Sequence, residues 1–461
     1  MRQKSVTHPQ NFPHSQLYIA HDLLSTLVFL IHTELIMRFS LSRLRANLQL
    51  NRNVWYVLFT SAVVGFAVEG GIYSVLFNIY LLRLDYGTDF IGVVNSVGHF
   101  SYAIAALLAG AAGQRWGVRR IMLVGIVLAT LAGLLIPLAQ SLHLTGQSLL
   151  LTIIVAMKNT GNVFLLVGST PYIMAYTTGN SRNTAFALDS AFYGIAAFVG
   201  AWLGGLLPGW IATSGGTTLD DPNPYRYSFL VVILILLAGI YFIWKTEPVQ
   251  STKVKRKAAL AFSIRTIPRK WSTTVGLFTA ISIVGGVGMS VPYTFGTVYF
   301  DDQLQMPTSL IGSLQAISSL IGVVAVLLLP QLLKRWSLFQ TTLTTYFCIG
   351  VAIMLIGATS SWQIAGGGFV VVMASYGLRF TAYRIYTMEP IPEAYQSMVS
   401  GILNAGVGVG FAVMAFASGF LIEEIGYRQL FFFGGGMILV TALLFWFYEL
   451  SSGRTPQVEV I

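Results

Sequence analysis

Three ionisable side chains stand near the middle of long apolar runs: Glu69, His99 and Lys158. A charge held at the centre of a bilayer costs about 2.5–3.5 kcal/mol on insertion scales, so few persist there without a use. A carboxylate can take up and release a proton, a lysine can serve as its counter-charge, and an imidazole can do either. Helical spacing adds neighbours. Glu69, Tyr73, Leu76 and Tyr80 follow an i, i+4, i+7, i+11 pattern, Asn95, His99 and Tyr102 share a second face, and Lys158 and Asn162 share a third. This arrangement predicts a buried Glu69–Lys158 ion pair that loosens when Glu69 is protonated, with a static packing pair as the alternative. His99 is a candidate coupling group, although Asn95 or a backbone carbonyl could satisfy it. Later in the chain, Tyr376, Arg379, Tyr383 and Tyr386 form a stripe in which Arg379 could bind an anion, snorkel or cap. Gln315 and Asn404 are further polar candidates, and Asp189 lies near the start of its own apolar run.

The elements that hold these residues must be membrane helices. Of 461 residues, 55% are hydrophobic and 10% charged, against about 25% charged in an ordinary soluble domain. A soluble globule, a disordered chain and a secreted disulfide scaffold are excluded, and the single cysteine, Cys348, permits no internal disulfide. A crossing helix needs about 20 apolar residues. Twelve candidate spans follow, at 54–82, 89–112, 118–139, 147–175, 184–207, 228–245, 272–300, 308–333, 338–359, 363–386, 397–421 and 428–448.

The net charge of +10 reads as topology. Twenty-two of the 27 Lys and Arg fall on the side that holds the chain ends, while Arg83, Arg226 and Arg428 fall opposite. The opposite side carries acids, among them Asp85, Asp89, Asp301 and Asp302. By the positive-inside rule both termini are expected in the cytoplasm, and the protein in a plasma (inner) membrane. Residues 1–53 read as a cytoplasmic tail, with Met37 an alternative start. Four histidines in that tail lack ligand spacing, so no metal is expected.

The basic stretch 246–270 divides the spans six and six, and the halves 54–245 and 271–449 match at an offset of 220 residues, leaving 450–461 as a tail. Ile91-Gly92 maps to Ile311-Gly312, Tyr73 to Tyr293, Asn95 to Gln315 and Arg115-Trp116 to Arg335-Trp336. Glu69 maps to Met289, so the charged equipment is concentrated in the first half.

Between spans 2 and 3 stands Gly110-Ala-Ala-Gly-Gln114-Arg115-Trp-Gly117-Val-Arg119-Arg120. It resembles the loop G-x-x-x-D-[RK]-x-G-x-[RK]-[RK] of the major facilitator superfamily, with Gln114 in place of the acid. The resemblance implies an all-α polytopic membrane protein built as two pseudo-symmetric six-helix bundles around a central cavity. It places Glu69, His99 and Lys158 towards that cavity, together with Tyr73, Asn95, Tyr102, Asn162, Tyr293, Gln315, Tyr376, Arg379, Tyr383 and Asn404. It also implies a cytoplasmic gate at Gly110, Gln114, Arg115, Gly117, Arg119, Arg120 and Arg335. There Asp189 could pair with Arg115 or Arg119 in place of the missing acid. Gly194, Gly200, Gly204 and Gly205 partly match the family's antiporter signature, with Ala201 where a proline belongs; small residues there let helices approach closely.

No phosphate-binding loop, zinc motif or nucleophile elbow is present in the sequence. The expectation is a cofactor-free, monomeric secondary transporter, not an enzyme, with no nucleic-acid partner. It would move a small organic solute by alternating access, with proton-coupled export ahead of proton-coupled uptake of a nutrient. A transporter-like receptor or assembly protein is the contrasting class.

Overall fold

The computed structural model describes residues 50–249 and 269–452, except 141, 143 and 392. The possible start at Met37, most of the 246–270 linker and the tail from 453 lie outside the described residues. Eleven described helices are long and apolar enough to cross a membrane. The last, Glu393–Ser452, is broken at Gly426, whose φ of 81° no helix contains, so it supplies spans 11 and 12. The twelve spans read from hydropathy are therefore all present.

Each outward face is apolar: Leu234 is 67% exposed and Val413 60%, as expected of side chains that meet hydrocarbon instead of water. Within the first half, span 1 packs against spans 5 and 6, and span 3 against spans 4 and 6. The halves meet along two seams, span 2 with span 11 and span 5 with span 8. Close approach makes both seams possible. A Cβ at Gly205 would lie 2.9 Å from Gly312 Cα, and one at Gly92 2.8 Å from Gly419 Cα. Gly194 faces Val323 across the span 5–span 8 seam, while Gly200 and Gly204 bring span 5 against Phe66 and Ile72 of span 1 within the first half.

The end of the bundle that holds Asn51 and Ser451 is termed the base, and the opposite end the crown. Span 2 ends at Trp116, and Gly117, at φ 90°, turns the chain into span 3. That conformation is cheap only for glycine.

Two elements depart from the sequence reading. Span 8 is shorter than 308–333: it ends at Leu327, followed by the single turn Leu329–Leu332. Span 1 is two helices, Arg52–Ala67 and Ile72–Arg83, separated by Val68-Glu69-Gly70-Gly71. Its counterpart, span 7, runs unbroken from Arg269 to Asp302.

Candidate functional site: a cavity built on a broken helix

The break in span 1 follows from local chemistry. Val68 N–H and Glu69 N–H both donate to Val64 O, closing the first helix. Gly70 then takes φ 77°, and a Cβ at Gly71 would strike the Phe66 carbonyl oxygen. Ser74 staples the gap: its Oγ accepts from Gly70 N–H and donates to Val68 O, both at 2.9 Å. The freed Glu69 carbonyl accepts from Tyr193 OH at 3.1 Å. Irregular backbone at membrane depth is tolerated only where it is buried in protein or lines a water-filled space.

That space is a cavity of about 560 Å³ between the halves. It runs from Asn78 and Thr297 past the break to Val57, Met122, Ser169, Leu327 and Thr381 near the base. At the crown it is sealed. Arg83 donates to both carboxylate oxygens of Asp301, at 2.8 and 2.7 Å, and to Leu219 O at 2.8 Å. Asn95 donates to Asn78 Oδ1, and Asn78 in turn donates to Thr294 O in the second half. Thr88 donates to Gly419 O, and Tyr225 and Thr308 share a hydrogen bond.

Of the residues picked from the sequence, Glu69, Tyr73, Asn95, His99, Tyr102, Lys158, Asn162, Tyr293, Gln315 and Tyr376 line this cavity. The Glu69 carboxylate accepts from Tyr293 OH at 3.2 Å across the halves. The His99 ring sits 4.8 Å from the Phe411 ring.

Several expectations need correction. Glu69 and Lys158 do not form an ion pair. The Lys158 ammonium lies 4.5 Å from the centre of the Tyr73 ring instead, and the ion pairs within 4 Å among the described residues join other side chains. The physical reason is the break: it turns Glu69 towards span 7, while Tyr73 belongs to the next helix and offers its ring face to span 4. For the same reason Leu76 and Tyr80 do not continue the Glu69 face; both are fully buried.

Arg379, Tyr383 and Asn404 do not line the cavity. Arg379 is 5% exposed. It lies over the rings of Tyr346 and Tyr376 at 5.2 and 4.8 Å and donates to Tyr346 OH. Tyr383 donates to Phe278 O, and Asn404 to Ser400 O in its own helix. Each is bonded within its own half.

Asp189 faces the cavity but pairs with neither Arg115 nor Arg119. Ser61 Oγ donates to it at 2.6 Å, and Arg119 donates to Trp244 O at the end of span 6. With the cavity reaching the base, Arg115, Arg120 and Arg335 stand exposed. The burial of Gly110 and the side chain of Gln114 lie outside what the structure describes.

Sequence reasoning missed Asn78, Asn159 and Tyr193 in the cavity wall, and the Arg83–Asp301 clamp. Tyr193 was within reach, four residues after Asp189 on one helical face. Arg83 is one of few basic residues on an acidic side, which marked it as unusual without naming its partner.

The sequence pattern of the Major Facilitator Superfamily matches residues 57–405. The chain belongs to that superfamily. The multidrug efflux pump Tap of Mycolicibacterium fortuitum is 23% identical over 360 residues, 76% of this chain and 84% of that protein. The crystal structures of the D-xylose-proton symporter and of the nucleoside transporter NupG match with TM-scores of 0.68 and 0.66, at 14% and 12% identity. They cover 89% and 86% of this chain, and 99% of each of theirs. At such identities the likeness is one of fold. As a superfamily member the protein is a membrane-spanning transporter of small-molecule solutes.

Proposed function

We propose that this superfamily member exports a small organic solute from a bacterial cell in exchange for protons, with Glu69 carrying the proton. The observation that carries the reading is Glu69 itself: a carboxylate at a helix break, on a solute-sized cavity, held by a tyrosine hydroxyl and by no cation within 4 Å. Such a group can exchange a proton with cavity water in one state and be closed off in the other. With both termini cytoplasmic, the base faces the cytosol, and the cavity stands ready to collect solute from inside. Export is supported by the relationship to an efflux pump over most of both chains and by Gly194 and Gly205 of span 5, which lie at the seam. Pockets of about 300–1,000 Å³ suit drug-sized molecules.

The test is flux in proteoliposomes with an imposed pH gradient, read for a panel of solutes. Wild type should drive solute against its own gradient in the direction opposite to proton flow. Glu69→Gln should lose this while keeping gradient-free exchange of solute. Uptake running with the proton, or a Glu69→Gln protein with wild-type driven flux and pH profile, would overturn the reading.

A further inference from the structure

The occupant of this cavity can be narrowed. Its charged lining residues are two acids, Glu69 and Asp189, and one lysine, Lys158. Arg379 contributes no lining: it is buried behind Tyr376 and bonded to Tyr346. Five tyrosines, at 73, 102, 193, 293 and 376, line the wall. Ring faces carry negative electrostatic potential and attract cations, more strongly when water is excluded.

One of these faces is already in use. The Lys158 ammonium sits 4.5 Å from the centre of Tyr73, and that ring also stacks on Phe77 at 4.6 Å. A second feature marks the same residue. Tyr73 is 7% exposed, and its hydroxyl is buried without a hydrogen-bond partner. A hydroxyl left unpaired at that depth costs about 1–3 kcal/mol; an acceptor on the substrate, distinct from its cationic group, would relieve it.

We propose that the cavity selects organic cations, and that the Lys158 ammonium on Tyr73 holds the place that a substrate's cationic group takes. An arriving cation displaces Lys158 from the ring and is held between Tyr73 and the Glu69 carboxylate. The displaced ammonium is then free to turn elsewhere in the cavity. No covalent step is involved. The proposal rests on the cavity being the transport site and specifies what that site accepts.

Equilibrium binding to the purified protein in detergent tests this without any gradient, using tetraphenylphosphonium and its isosteric anion tetraphenylborate, with empty micelles subtracted. The phosphonium should bind and the borate should bind at least about tenfold more weakly. Glu69→Gln should weaken the phosphonium by about tenfold or more, and Lys158→Met should tighten it, because the internal competitor is gone. Equal binding of the two probes, no binding of the phosphonium, or weaker phosphonium binding to folded Lys158→Met would overturn the proposal. The comparison of probes on wild type needs no variant to fold. Cation binding without proton-driven flux would sink the export reading and leave this one standing, whereas proton-driven export of anions alone would do the reverse.

Discussion

The two halves share a repeat but not a chemistry. In the first half, span 1 breaks at Val68–Gly71 and brings Glu69 to the cavity, and spans 2, 4 and 5 add His99, Lys158 and Asp189. In the second half, the same register holds Met289, Ser290 and Val291 in an unbroken helix, with Met289 and Val291 buried. What the second half gives the cavity is neutral: Tyr293, Gln315 and Tyr376. Its buried Arg379 is enclosed by its own tyrosines. Two copies of one bundle have thus divided the work. One carries the ionisable groups, and the other closes over them and supplies hydroxyls, such as Tyr293 on Glu69.

The contact that most binds the two roles together is the crown clamp. Removing one partner of a mostly buried ion pair strands the other and costs about 3–5 kcal/mol; the Arg83 and Asp301 side chains are 19% and 7% exposed. Asp301→Asn should therefore favour the state open at the crown. In a Cys348→Ser background, needed because Cys348 is exposed, labelling of Thr297→Cys by an impermeant thiol reagent from the crown side should rise about a hundredfold or more. Unchanged labelling would mean that the glycine seams and the remaining crown hydrogen bonds hold the crown shut without the clamp.

Those seams give the next effect. Gly205→Val meets Gly312 and Thr308 O, and overpacking of this kind costs about 1–3 kcal/mol. Gly209, four residues on in the same helix, has nothing within 4 Å of its Cβ position. Gly205→Val should slow transport and raise crown accessibility, while Gly209→Val should leave both near wild type. Near wild-type behaviour of both variants would show that span 5 tolerates bulk along its length and that the seam does not require close approach.

The smallest effect addresses the broken helix directly. Gly70→Ala forces an L-residue into φ 77°, at about 1–2 kcal/mol, and should lower both thermal stability and driven transport. At the matching position of the second half, Ser290→Ala removes one hydrogen bond to Phe411 O, worth about 0.5–1.5 kcal/mol. It should lower stability and leave transport intact. If Ser290→Ala abolished transport as well, the division of labour between the halves would be wrong.

Much of the site was visible in the sequence, because a polar residue inside an apolar run announces itself. Ten of the thirteen residues picked for ion pairing or the cavity do line it. Arg379, Tyr383 and Asn404 passed the same filter and failed, since the filter finds buried polarity and does not say whether a side chain faces a cavity or its own bundle. Periodicity also misled at Glu69, where it assumes an unbroken helix. Gly70-Gly71 signalled a weak point but not its geometry.

The sequence by itself determined the number of spans, the side on which the basic loops gather and the two-fold repeat. These follow from transfer free energies, which are local and nearly additive along the chain. Only the tertiary structure decided that Lys158 rests on Tyr73, that Asp189 takes Ser61, that Arg83 clamps Asp301 and that the crown is the closed end. Those choices join residues far apart, 224 positions in the case of Glu69 and Tyr293. They depend on how each helix is rotated and where it bends, which pairwise packing fixes and composition does not.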